Sequence, residues 1–116
     1  EIFLTYLGGK GLATYLLYSI NPPGVDPMSP DNCLIFATGL ITNSRIWGSS
    51  RYGVFTKSPQ TGFYSESYAG GKVPEAIDSS GFDAIVVTGR GRRPTVVLVK
   101  PDGVEFFNAS ETIAIK

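Results

Sequence analysis

Apolar side chains at Ile2, Phe3, Tyr6 and Leu7, and again at Leu12, Tyr15, Leu16 and Ile20, recur at the spacing of one helical face. Gly8, Gly9 and Gly11 interrupt the two halves, so two short helices are predicted. Asn21-Pro22-Pro23-Gly24 stops the second one, and Asp26-Pro27-Met28-Ser29-Pro30 continues as a stiff, extended connection. From Cys33 to Thr38 the run CLIFAT is apolar, short and bounded by Asn32 and Gly39, which predicts a buried strand.

Tyr52 to Lys57 alternates and is rich in β-formers, and Gly62 to Ser67 is expected to return beside it after the Ser58-Pro59-Gln60-Thr61 turn. KVPEAIDSSG reads as a short helix with Pro74 in its first turn, Gly81 past its end, and an inner face of Val73, Ala76 and Ile77. Three β-type runs follow at Asp83–Thr88, Thr95–Lys100 and Val104–Phe107, the last two joined through an Asp102-Gly103 hairpin signal. The pattern predicts an α+β fold, a mostly antiparallel β-sheet domain with a few helices, rather than a βαβ repeat.

A length of 116 residues suits one domain, residues 1–116, with a core that needs no disulfide or metal staple. The opening EIFLTYLGGK starts in mid-pattern at Glu1, and Ile115-Lys116 carries no terminating signal, so a piece of a longer protein is expected. Lys plus Arg number 10 and Asp plus Glu number 10. With no net field to gather nucleic acid or an anionic membrane, any anion site must be local.

An apolar fraction of 42% argues against disorder. The apolar runs are too short to span a bilayer, and no signal peptide is visible, although an excised start would hide one. A soluble, cytoplasmic chain is the expectation. Cys33 is alone and sits in an apolar run, which favours a buried inert thiol over a nucleophile. Without histidine, a Ser-His or Cys-His dyad is impossible within these residues, and a zinc or iron-sulfur site made from them alone is nearly excluded.

The stretch RYGVFTKSPQTGFYSESYAGG, residues 51–71, carries the strongest functional signal. Arg51 stands at the start of the expected hairpin, where its planar fork suits a phosphate or the edge of a flat heterocycle; a solvated surface arginine is the plainer alternative. Ser67-Tyr68-Ala69-Gly70-Gly71 falls between an expected strand and an expected helix. It fits either bared amides that a bulky anionic ligand can approach, or simply a tight connection.

Gly8-Gly9-Lys10-Gly11 lacks the GxxxxGK[ST] spacing and follows a helical pattern, so a nucleotide P-loop is not indicated. An anion seat at a helix start and a helix-helix turn permitted by glycine both remain open there. Arg90, Arg92 and Arg93 lie in a turn, where solvent or contact with the rest of a longer protein explains them better than a ligand clamp. Asp31, Glu66, Glu75, Asp78 and Asp83 are scattered among turns and helix starts, and no pair declares itself as general acid and base. Binding is therefore expected of these residues, and no catalytic residue is assigned.

In order, GGKGLATYLLY, DPMSPDNCLIFATGLIT, RYGVFTKSPQTG, SYAGG and GFDAIVVTGR make the chain, over nearly its whole length, similar to the N-terminal domain of the aldehyde ferredoxin oxidoreductase family. The resemblance implies a domain that cradles a tungsten bis-molybdopterin group with magnesium between its phosphates. It also implies a four-iron four-sulfur cluster held by cysteines elsewhere in the full-length protein, with an aldehyde as substrate and ferredoxin as electron partner. By motif, Arg51 falls where the family's arginine contacts the first pterin, and Gly70 falls on a glycine contact. Tyr68 replaces the usual asparagine, whose main-chain carbonyl reaches magnesium; any residue supplies such a carbonyl, so the resemblance implies that this contact survives the change.

The remaining domains of the same chain are expected partners, and a homo-oligomer is open; no nucleic acid or membrane partner is expected. Two alternatives stand beside aldehyde oxidation. One is a related tungsten subunit acting on another carbonyl or an aromatic thioester, and the other is a non-catalytic module that binds a phosphate ligand or assists assembly.

Overall fold

The computed structural model describes residues 1–110, the side chain of Phe3 excepted. A one-turn helix α1 (Ile2–Thr5) precedes α2 (Gly9–Ile20), and the strands β1 (Leu34–Thr38), β2 (Tyr52–Lys57) and β3 (Tyr64–Ala69) follow. Next come α3 (Val73–Ser79), β4 (Ala84–Val87), β5 (Thr95–Lys100) and β6 (Gly103–Asn108). One sheet has the order β3-β2-β1-β4 and the second is the β5-β6 hairpin; every pairing is antiparallel. The α+β class follows from this all-antiparallel pairing, although the segment through α3 carries the chain from β3 across the sheet to β4 beside β1.

Strand alternation builds the core. Cys33, Ile35, Ala37 and Phe55 turn to one face and meet Ala13 and Leu17 of α2, with Leu16, Ala84 and Val86 packed around them. Cys33 is fully buried there. The inner face of α2 is Leu12, Ala13 and Leu17, shifted from the expected Leu12, Tyr15, Leu16 and Ile20. Tyr15 is instead half-buried and stacks on Tyr6 at 5.0 Å between ring centroids, and Ile20 is exposed at the helix end.

Two further expectations change. Pro74, Ile77 and Ser80 are the buried positions of α3 and its cap, whereas Val73 and Ala76 face outward, because the first helical turn is seated through the proline ring. The last hairpin turns at Pro101-Asp102, since Lys100 pairs with Gly103, which enters β6 at φ 155°. Glycine takes that dihedral without the Cβ clash another residue would meet.

Side-chain amides fasten the helix end to the sheet. Asn21 Nδ2 donates to Asn32 Oδ1 (2.9 Å), and Asn21 Oδ1 accepts from the Cys33 N–H (2.9 Å). Asn32 Nδ2 donates to the carbonyls of Pro27 (2.9 Å) and Lys57 (3.0 Å). The proline-rich connection thus holds a defined path between α2 and β1. Among the described residues no helix is long and apolar enough to cross a membrane.

Candidate functional site

Beyond β1 the chain makes the loop 39–51 before re-entering the sheet as β2. Thr42, nearly fully buried, closes it: its Oγ1 accepts from the Gly39 N–H (3.1 Å) and lies 3.2 Å from the Arg51 carbonyl, to which it donates. Arg51 N–H donates to the Ser49 carbonyl (2.9 Å), which fixes the turn into β2. β3 runs two residues later than expected, to Ala69, so Tyr68 and Ala69 are strand residues and only Gly70, Gly71 and Lys72 form the link to α3.

Pairing Tyr52 with Ala69 and Gly53 with Tyr68 brings the start of β2 beside the end of β3. Arg51 and Gly70 therefore meet: a Cβ on Gly70 would stand 3.2 Å from the Ser50 carbonyl and 3.8 Å from Cδ and Nε of Arg51. Ser50 Oγ donates to the Gly71 carbonyl (2.8 Å) and ties the two segments. An open cleft of about 670 Å³ lies over this junction, walled by residues 44–51, Gly70, Gly71 and Glu75. Its charged rim is Arg45 and Arg51 against Glu75. No ion pair among the described residues engages the Arg51 guanidinium.

A second cavity of about 280 Å³ adjoins the first and shares Gly48, Ser49 and Arg51 with it. Gly9 at the start of α2, Ala37 of β1, Gly39 just beyond it, and Tyr68 of β3 are among its other lining residues. Gly8 and Gly9 take φ of 125° and 55°, and a Cβ on Gly8 would come within 3.2 Å of the Thr38 carbonyl. Here glycine lets the start of α2 close onto the end of β1.

The structure thus gathers Arg51, Tyr68 and Gly70 around two joined hollows, with Arg51 common to both. Arg90, Arg92 and Arg93 are exposed between β4 and β5 and line neither. Among the described residues no three of His, Cys, Asp and Glu converge as a metal site. Sequence reasoning missed the wall at residues 44–50 and the role of Thr42, for which the only signal was a polar loop. It also left Glu66 among the scattered carboxylates.

Glu66 is in fact a hub. Lys10 Nζ lies 2.8 Å from its Oε2, and the hydroxyls of Tyr64 (3.1 Å) and Tyr68 (3.2 Å) donate to the same oxygen. The hydrogen bond from Lys10, assisted by the two phenols, holds the Glu66 carboxyl below its ordinary range. The same bond raises the Lys10 ammonium. Tyr64 and Tyr68 are raised, first by desolvation and then by donating to the carboxylate.

The family model described as "Aldehyde ferredoxin oxidoreductase, N-terminal domain" matches residues 1–115. The chain belongs to this family, as its N-terminal domain. It is 41% identical over 95% of its length to the tungsten-containing aldehyde ferredoxin oxidoreductase of Pyrococcus furiosus, and equally to that of Thermococcus kodakarensis, spanning 18% of each. A solved structure, the active site complex BamBC of benzoyl coenzyme A reductase with 1,5-dienoyl-CoA, superposes with a TM-score of 0.90 at 35% identity. That match covers 96% of this chain and 17% of the other. The chain therefore spans about a fifth of the length of such relatives, and the family to which it belongs is enzymatic.

Proposed function

We propose that this chain is the cofactor-binding domain of a tungsten-dependent oxidoreductase that oxidises aldehydes to carboxylic acids and passes the electrons to ferredoxin. The observation that carries the proposal is the convergence of the Arg51 guanidinium with Gly70 and Gly71, which carry no side chains, on one open cleft. A pterin phosphate is bulky and anionic, and these residues suit it in kind. The guanidinium gives a two-pronged donor, serine hydroxyls line the wall, and no atom beyond its chain neighbours stands within 4 Å of where a Cβ on Gly71 would lie, which leaves that stretch of main chain open to a ligand.

When bound, the metal dithiolene centre supplies the two-electron chemistry. Arg51 binds and orients the anionic edge of the group. Gly70 and Gly71 admit it to the main chain, and Tyr68 offers its carbonyl to a magnesium ion. The cluster, the ferredoxin contact and the aldehyde pocket belong to the rest of the full-length protein.

The likeness to the benzoyl coenzyme A reductase complex favours a second reading, a related tungsten subunit acting on an aromatic thioester. Tungsten and phosphorus analysis of the full-length protein, with viologen-coupled assays on aldehydes and on dienoyl-CoA, separates these readings. Stoichiometric tungsten with aldehyde-dependent viologen reduction supports the proposal, and thioester turnover alone supports the second. Absence of tungsten and phosphorus rejects both in favour of a non-catalytic module.

A further inference from the structure

β3 is an edge strand, held on one side by β2 alone. Three successive residues of its inner face, Tyr64, Glu66 and Tyr68, turn toward the first turns of α2, where Lys10 and Thr14 lie four apart on one helical face. Lys10 pairs with Glu66, and Thr14 Oγ1 is 3.0 Å from the Tyr64 hydroxyl. Glu66 in turn accepts from Tyr68, whose ring stands edge-on to Phe55 at 5.8 Å. Gly9 and Tyr68 both line the smaller cavity, and the residues next to Gly9 and next but one to Tyr68 in sequence are this ion pair.

We propose that Glu66, bridged by Lys10, is a positioning residue that fixes the aperture between the start of α2 and Tyr68, and through it the presentation of the main chain from Tyr68 to Gly71 to a bound pterin phosphate. The inference rests on the cofactor-binding reading above for its consequence but not for its geometry. Lys10 is mostly exposed and Glu66 less so, so the pair alone is a weak stabiliser of the fold. Its effect is local: it sets where an otherwise one-sided edge strand sits.

The test uses the full-length protein with Glu66→Leu, Tyr68→Phe and the double variant. Fluorine NMR of a fluorotyrosine at position 68 reads the network, and tungsten per chain reads its consequence. In the parent the fluorine signal should move with added salt, which screens an exposed pair. In Glu66→Leu it should be displaced and salt-insensitive. Tungsten retention should fall roughly two- to fivefold in Glu66→Leu, the change expected of an exposed charge pair. It should fall in Tyr68→Phe as well, and no further in the double variant, because both act through one contact.

A fluorine signal unaltered by Glu66→Leu overturns the network itself, whatever the tungsten content. Unchanged tungsten in Glu66→Leu, or losses that multiply in the double variant, overturns the positioning role. A parent protein without tungsten rejects the cofactor reading and the positioning role with it, while the fluorine result still decides whether Glu66 holds Tyr68.

Discussion

The ring of Phe55 folds back over Gly53: a Cβ on Gly53 would lie 2.5 Å from two of the ring carbons and 3.1 Å from the Tyr68 ring. Gly53 is buried in mid-sheet, so the glycine is a space requirement of β2. Gly53→Ala should force the Phe55 ring out of its pocket beneath α2 and cost about 1 to 3 kcal/mol, the usual penalty for overpacking. Urea unfolding of the 116-residue chain measures it, and stability equal to the parent contradicts the close approach.

Asn32 supplies both donors and the acceptor of its amide to three different segments. Asn32→Ala leaves part-buried carbonyls at Pro27 and Lys57 without this partner and should cost about 1 to 3 kcal/mol. Asn32→Asp, nearly the same shape, should do no better, because a carboxylate cannot donate to either carbonyl. An aspartate variant as stable as the parent would show that the acceptor alone matters.

Thr42→Val keeps the volume and removes the hydroxyl that clamps Gly39 to Arg51. The loss should be about 0.5 to 1.5 kcal/mol, with faster amide exchange at Gly39 as its local signature. Unchanged exchange at Gly39 would mean that the loop is held by other contacts.

Much of this architecture was legible in the chain. CLIFAT, YGVFTK and TVVLVK carry their strand character in their own side chains, and Pro74 with Gly81 brackets α3 as expected. The inner face of α2 was half legible: Leu12 and Leu16 pack inward as expected, while the small Ala13, which ranks low on any apolar count, is what sits against the cluster of Ile35 and Phe55. At the site, Arg51 and Gly70 were readable as residue types, while their meeting depends on the β2–β3 register. Lys10 and Glu66 are 56 positions apart, and nothing local to either announces the pair.

Stability should depend on pH through that pair. The Glu66 carboxyl is held below its ordinary value, so its contribution is present above the unfolded carboxylate range and is lost as pH falls through the lowered folded value. Lys10, Tyr64 and Tyr68 are raised, so their contributions are full at neutral pH and fade as pH rises through the raised phenol and ammonium values. The midpoint of thermal unfolding should therefore be flat near neutrality and fall on both sides. In Glu66→Gln the acid-side fall should be shallower; an identical acid limb would remove Glu66 from the account.

Arg51 offers the sharpest test of the site, because its side chain is exposed while its main chain is held by Ser49 and Thr42. Arg51→Ala should therefore leave the unfolding of the 116-residue chain within about 0.5 kcal/mol of the parent. In the full-length protein the same change removes a charge-assisted contact to a phosphate, for which about 1.5 to 3 kcal/mol is expected. The outcome should be a folded protein with lowered tungsten and phosphorus per chain. Arg51→Lys should recover only part of it, since a point charge does not reproduce two parallel hydrogen bonds. Full metal content in Arg51→Ala would remove the guanidinium from the cofactor seat and leave the two glycines to account for it alone.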